Sequence, residues 1–313
     1  MVSGWVLAGF SDELPGEIVD MKLGRKPVLL VRDASGVVRA FDGICPHRGA
    51  RLACGGRRQG DRMICPFHGH HIRLGATGGP DDELFVAEFP AIEVCELVFV
   101  HLGTERGAPG CGFPQAIVAL KAEHAFVHGF SMPLPVPPTL VIENAFDVAH
   151  FGPVHGVPQA TPLDVAAFDP AAGAPLTAQG EFCVAASSWD PEPNGKQITV
   201  AYAARAFSPS LIVSSLGGSR PYRFLVGATP DGQGGCTARV VLMLPRGVEY
   251  KLPPADGVEW LLAAMESQLA ADREIWARLS ADSPRRLQPG EDAIAAFWTF
   301  CKHFPDLQEE RQR

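Results

Sequence analysis

In the first hundred residues the apolar positions come in short alternating or β-branched runs, broken by turn residues. PVLLVRDASGVVRAF, residues 27–41, reads as two strands around an Asp-Ala-Ser-Gly turn, a hairpin signal. FVAEFPAIEVCELVFVHLG, residues 85–103, continues the pattern, so residues 1–110 predict a small, loop-rich, all-β unit. The Gly/Pro-rich stretch RGAPGCGFP, 106–114, marks the boundary with a second unit, 111–313. There, strand-like segments recur as VIENAF, QITVAYAARAF, LIVSSL, RFLVGATP and TARVVLMLP, and a helical stretch follows over 256–280. The chain is therefore expected to be α+β, with a curved antiparallel sheet and one long helix in its C-terminal part.

Within that helical stretch, Val258, Leu262, Met265, Leu269, Asp272, Trp276 and Leu279 follow one another at steps of 4, 3, 4, 3, 4 and 3, the buried stripe of an amphipathic helix. Asp272 is the one carboxylate on it, whereas Glu266 and Glu274 fall on the solvated side. Burying an unpaired carboxylate costs several kcal/mol or more, so Asp272 calls for a partner: a buried arginine, a helix end or a metal. A second polar group lies in ENAFDVAHFGPVHG, 143–156, where Asn144, Asp147 and His150 are three apart. His155 is five residues past His150, about 140° round an ideal helix, so a straight helix cannot converge the two. Gly152-Pro153 is expected to break the helix between them and aim both at one point. Two histidines and a carboxylate with open positions form the facial triad of non-heme Fe(II) sites.

Composition narrows the class. The chain is 46% hydrophobic and 20% charged, ordinary for a globular protein, and its 33 Gly and 28 Pro speak for many turns. No apolar run is long enough for a membrane span, and the N-terminal residues lack the basic start of a signal peptide. The net charge of −8 argues against general nucleic-acid binding. Eight cysteines in a long chain of this kind point to reduced thiols and a cytoplasmic setting, not a disulfide framework. GGRRQG and GATGG neither follow a strand nor open a helix, so they carry no nucleotide-binding reading.

The densest chemistry is ICPHRGARLACGGRRQGDRMICPFHGHH, 44–71, which pairs Cys45-x-His47 with Cys65-x-x-His68. Tetrahedral zinc would accept these four ligands. Zinc fingers, however, usually pair like with like, whereas each loop here mixes a thiolate with an imidazole and is tightened by Pro46, Gly49, Pro66 and Gly69. That arrangement suits a two-iron, two-sulfide cluster with both cysteines on one iron and both histidines on the other. Between residues 39 and 79 lie Arg39, Arg48, Arg51, Arg57, Arg58, Arg62 and Arg73 against only Asp42 and Asp61. This local basic excess reads either as scattered solvated arginines or as a collar for an acidic electron donor.

CPHRGA followed by CPFHG resembles the Rieske signature, and Asn-x-x-Asp-x-x-His-x4-His with Asp-Arg-Glu-Ile-Trp resembles the mononuclear-iron motifs of Rieske non-heme iron oxygenases. The segments ENAFDVAHFGPVHG, ADREIWARL and DAIAAFWTFCKHFP are most similar to the 3-ketosteroid 9α-hydroxylase and cholesterol 7-desaturase group. The resemblance implies an N-terminal Rieske domain holding a [2Fe-2S] cluster on Cys45, His47, Cys65 and His68. It also implies a C-terminal helix-grip domain holding Fe(II) on His150, His155 and Asp272, with Asn144 close to the iron. Asp147 would then link a histidine of one subunit's cluster to an iron ligand of its neighbour in a head-to-tail homotrimer. The implied activity is that of a terminal oxygenase using O2 to hydroxylate, demethylate or desaturate a large apolar, steroid-like molecule. Its runner-up is an aromatic or heterocyclic monooxygenase or demethylase; a non-enzymatic alternative is a Rieske electron carrier fused to a lipid-binding domain. No Rossmann or flavin motif is present, so electrons are expected from a ferredoxin or an NAD(P)H-dependent reductase. One departure stands out: His70 and His71 occupy the place where such oxygenases usually carry Trp.

Overall fold

The computed structural model describes residues 3–33, 35–75, 83–103, 110–166, 168–169, 173–185, 196–247, 255–280 and 284–305. The N-terminal part is a set of short strands: β1 (Gly4–Phe10), β2 (Ile18–Leu23), β3 (Lys26–Arg32), β4 (Val38–Asp42), β5 (Arg57–Gln59), β6 (Arg62–Ile64), β7 (His71–Leu74), β8 (Phe85–Val86), β9 (Glu88–Phe89), β10 (Ala91–Val94) and β11 (Leu97–Leu102). They form three small sheets, β1-β11-β10, β2-β3-β4-β9 and β5-β6-β7-β8. The hairpin expected over 27–41 is β3–β4, with Arg32 opposite Val38 and Asp33 accepting from the turn backbone at Ser35 and Val37.

The C-terminal part begins with helix α1 (Phe113–Glu123), whose Pro114 occupies a first-turn position where a missing N–H costs nothing. Then come strand β12 (His124–Leu134), helix α2 (Pro138–Glu143), a 3₁₀ turn (Asn144–Phe146) and helix α3 (Phe151–His155). Strands β13 (Gln159–Ala160), β14 (Asp164–Val165), β15 (Leu176–Ala185), β16 (Gln197–Ser208), β17 (Leu211–Leu216), β18 (Tyr222–Pro230) and β19 (Cys236–Pro245) follow, with helices α4 (Ala255–Trp276) and α5 (Asp292–Cys301) last. The main sheet runs β12-β19-β18-β17-β16-β15-β13, antiparallel throughout, with β14 beside β15.

VIENAF, expected as a strand, is helical: it forms the end of α2 and the 3₁₀ turn. Pro138 opens α2, and Val141 and Ile142 bury one short face against the core. Six residues are too few for periodicity to separate a helix from a strand. The long helix also ends earlier than the stripe suggested, at Trp276, which leaves Leu279 53% exposed.

Strand β1 binds the two parts together. Its carbonyls accept from hydroxyls of the main sheet, Ser208 Oγ to Trp5 O at 2.6 Å and Thr229 Oγ1 to Leu7 O at 2.5 Å. The approach is so close that a Cβ on Gly227 would lie 2.4 Å from Leu7 Cβ, which is why that strand position carries glycine. Trp5, Leu7, Phe99, Phe113 and Phe207 thus share one core, each large side chain contributing roughly 1.5–3 kcal/mol by leaving water.

The other face of the main sheet receives α4. Val258, Leu262 and Met265 pack on Leu242 and Leu244, while Leu269 and Trp276 join the principal core. Helix α5 buries Ala293, Ile294, Phe297 and Phe300, and Phe297 stacks on Phe146 with centroids 5.2 Å apart. Trp298 Nε1 of the same helix donates to Glu143 at 2.6 Å, which fixes the end of α2. No described helix is long and apolar enough to cross a membrane.

Candidate metal centres and the cavity between sheet and helix

The two Cys/His loops are local copies of each other. Each closes between paired residues, Ile44 opposite Arg51 in the first and Ile64 opposite His71 in the second. Inside, Gly49 N–H donates to Cys45 O at 2.9 Å and Gly69 N–H to Cys65 O at 3.0 Å. Cys45 N–H donates to Ala50 O at 2.8 Å and Cys65 N–H to His70 O at 2.9 Å. Gly49 and Gly69 take φ of 76° and 69°, the left-handed conformation that a Cβ disfavours. The glycines noted in the sequence are therefore what let both loops turn back within six residues.

Both cysteines are 2% exposed and all eight thiols in the chain are free. Burial raises the Cys45 thiol above its ordinary value. Burial acts the same way on Cys65, but the N–H groups of Phe67 and His68 and the neighbouring Cys45 thiol outweigh it and lower Cys65. His47 and His68 are exposed, their rings 4.9 Å apart. His70, itself exposed, lies 4.5 Å from His47 and so borders the histidine side of the site. Nitrogens of His47, His68 and His70 come within 4.8 Å of one another. Two buried sulfurs at the base and imidazoles at the rim match the donor set of a mixed thiolate–imidazole cluster.

The basic collar is largely neutralised. Arg39 pairs with Glu88, Arg51 with Asp20, Arg58 with Glu17, and Arg62 and Arg73 both with Glu83. The acids come from outside residues 39–79, so a local count of charge could not show them. GGRRQG is exposed for most of its length, but it is strand and not only turn: Arg57 and Arg58 lie on β5, and Arg58, half-buried, donates to the carbonyls of Gly60 and Arg32. Among the described residues only Arg48 and Arg57 of the seven show no acidic partner.

At the second site His150, His155 and Asp272 converge, one ligand atom from each lying within 4.8 Å of the others. The chain break that allows this is upstream of the expected place. Asp147 is extended, with φ −98° and ψ 91°, and α3 starts only after His150. Pro153 does not end a helix; it sits in the first turn of α3, where the missing N–H is one that would be unpaired anyway. Gly156, left-handed at φ 67°, closes α3 directly after His155, with its N–H on Gly152 O and that of Val157 on Phe151 O. Histidines at the two ends of a single turn thus face one point.

Asp272, 6% exposed, meets this point from α4. Its Oδ1 lies 3.3 Å from His155 Nε2 and 4.0 Å from His150 Nε2, and its Oδ2 accepts from Asn144 Nδ2 at 2.9 Å. Asp147 Oδ2 approaches His150 Nδ1 from the other side at 3.4 Å. Burial raises Asp147, but the His150 contact and the N–H groups of Ala149 and His150 outweigh it and hold the carboxyl below its ordinary value. Both ring nitrogens of His150 and Nδ1 of His155 are buried without a hydrogen-bond partner. Buried polar atoms are normally paired, so such a set around a buried carboxylate fits a cation seated among them.

The trio forms part of the wall of a cavity of about 460 Å³ between the main sheet and α4. Most of the lining is aliphatic or aromatic, from Phe182 and Val200 on the sheet to Leu261 and Trp276 on the helix. Tyr202, buried in this wall and raised to about 12 by burial, donates its hydroxyl to Ala145 O at 2.9 Å and so ties the 3₁₀ turn that carries Asn144 to β16. Sequence reasoning missed Tyr202 and Arg220 of this wall; neither sits in a motif, and alternation on strands alone could have placed Tyr202.

Comparison with known proteins agrees with this geometry. Residues 4–83 match the model of the Rieske [2Fe-2S] domain. The chain is 38% identical over 66 residues to the glycine betaine monooxygenase oxygenase subunit of Pseudomonas aeruginosa, which covers 20% of this chain and 15% of that protein. It is 30% identical over 163 residues to cholesterol 7-desaturase of Xenopus laevis, 49% of this chain and 36% of the other. The matched stretches thus cover well under half of these relatives. The crystal structure of dicamba monooxygenase bound to 3,6-dichlorosalicylic acid superposes with a TM-score of 0.66 over 96% of both chains at 18% identity, which shows a shared fold.

Proposed function

Since the chain carries a Rieske [2Fe-2S] domain on the fold of Rieske non-heme iron oxygenases, we propose that it is a terminal oxygenase acting on a large apolar substrate. The observation that carries this reading is the trio His150, His155 and Asp272, with its orphaned imidazole nitrogens, in the wall of an apolar cavity. Cys45, His47, Cys65 and His68 would hold a cluster that would supply single electrons, and the trio would hold an iron that would supply O2 activation.

The chain's own residues prepare that chemistry. Asn144 holds Asp272 Oδ2, which leaves Oδ1 turned to the histidines. Asp147 sits beside His150 Nδ1; a proton held there frees the Nε2 lone pair for a metal. Helix α4 and the sheet line the cavity mostly with apolar side chains, which would keep water from the reacting face of a bound substrate. Asp147 is 28% exposed, consistent with contact across subunits in a homotrimer. The reductant is a ferredoxin or an NAD(P)H-dependent reductase, and the free thiols suit a reducing, cytoplasmic setting.

The test is metal and product analysis. The purified protein should hold the two acid-labile sulfides of a [2Fe-2S] cluster plus further iron. With a donor and O2 it should convert a member of a steroid and aromatic panel. Asp272→Ala should lose the further iron and all turnover yet keep the Rieske spectrum. Wild-type turnover in that variant would show that Asp272 is the wrong carboxylate, whereas no further iron and no turnover in the unmodified protein would leave an electron carrier with a binding domain.

A further inference from the structure

Helix α4 turns a row of side chains to the cavity at steps of four: Trp260, Ala264, Gln268, Asp272 and Trp276. The row beside it, from Leu261 through Met265 to Leu269, is apolar. Gln268 stands at the centre of the first row. It precedes Asp272 by four residues, which is one helical turn and about 6 Å along the axis. Glu266, two residues before Gln268, points about 160° away from it round the helix and is exposed. Gln268 is therefore exposed on the cavity side of α4 and not on its outer face.

Most other polar side chains of the wall are already engaged. Asn144 donates to Asp272, Tyr202 donates to Ala145 O, and Ser214 Oγ lies 3.4 Å from the Tyr202 hydroxyl. Arg220 and Tyr222 are not free either. Gln268 makes no hydrogen bond among the described residues. The indoles of Trp260 and Trp276 can only donate, whereas the amide of Gln268 both donates and accepts. An apolar substrate seated over that amide strips it of water, and hydrocarbon gives nothing back. A carbonyl or hydroxyl on the substrate restores one of the lost bonds. A carboxylate fits less well, because Gln268 brings no charge to offset the desolvation of an anion.

We infer that Gln268 is a specificity-determining residue: its amide takes a neutral carbonyl or hydroxyl of an otherwise apolar substrate, one helical turn from the metal trio. The oxygen function held there sets which carbon faces the trio. What happens at the trio rests on the proposed oxygenase reading, but the binding itself does not need it.

The experiment is equilibrium binding to the protein as isolated, read by tryptophan fluorescence, since Trp260 and Trp276 both line the cavity. The probes share one steroid skeleton: androstan-3-one, its parent hydrocarbon androstane, and androstane-3-carboxylate. The ketone should bind more tightly than the carboxylate. Gln268→Met keeps the length of the side chain and removes the amide. It should weaken the ketone about three- to tenfold relative to the hydrocarbon. A merely structural role for Gln268 would shift both probes alike. Equal shifts for ketone and hydrocarbon in Gln268→Met, a carboxylate bound as tightly as the ketone, or no binding of the ketone to the unmodified protein would overturn the inference. Neither turnover nor iron enters the readout, so failure of the Asp272→Ala test would sink the oxygenase reading alone.

Discussion

Asn144 and Asp272 are 128 positions apart in the chain and joined by one hydrogen bond, on which the chemistry proposed for the second site depends. A carboxylate 6% exposed with one oxygen tied to an amide has only the other free to face the histidines. Asn144→Ala removes the donor, leaving Oδ2 buried without its partner at a cost of about 1–3 kcal/mol. Iron titration should then show metal affinity about 10–100-fold lower, the usual effect of losing an outer partner of a ligand. Unchanged affinity would mean that Asn144 acts only on substrate. Burial explains why other residues stay silent: it raises the thiols of Cys111, Cys236 and Cys301 to about 12, so they are protonated and inert at neutral pH.

At the level of elements, short loops and turns do the positioning, and glycines set their shape. Gly49 and Gly69 are left-handed with open space around their Cβ positions, so each pays only backbone strain if substituted. Gly56 differs: a Cβ there would lie 2.0 Å from Leu52 O, with no flexible side chain to yield. Gly49→Ala should cost about 1–2 kcal/mol and keep the cluster. Gly56→Ala should displace the segment between the two loops, and the purified variant should be bleached. Thermal melts with absorbance at the cluster bands separate the two outcomes, and equal behaviour would contradict the close approach. The histidines are aimed in the same local manner, by a break at Asp147 and a one-turn α3 capped at Gly156.

For the whole molecule, charge and assembly matter. Five of the seven arginines around the Cys/His loops are paired with acids from other segments, which leaves Arg48 and Arg57 of the seven as the cations an acidic donor would meet. Arg48→Glu with Arg57→Glu should slow reduction by a ferredoxin most at low ionic strength, while dithionite reduces the cluster normally. The effect should fade towards 0.15 M salt, where the Debye length is about 8 Å. Equal donor rates at low salt would exclude this surface. Asp147→Asn tests the proposed link between subunits: both metals should bind and the cluster should reduce, yet product should nearly vanish. If the variant instead loses its further iron, Asp147 supports the metal within its own subunit.

The sequence by itself determined the chemistry and the class. Ligand-type residues at short spacings, the alternation of β3 and β4 and the stripe of α4 are local patterns, and local patterns survive without knowledge of partners. Asp272 was legible for the same reason, a charge where burial forbids one. Only the tertiary structure decided which residues meet. VIENAF is too short for its period to distinguish helix from strand, and the break before α3 follows from packing of the 3₁₀ turn under α5 and Tyr202. Likewise the charge of the collar is set by Glu17, Asp20, Glu83 and Glu88, which fold in from outside the segment. The cavity exists only once α4 lies on the main sheet, where Val258, Leu262 and Met265 pack with Leu242 and Leu244, contacts that no spacing along the chain encodes.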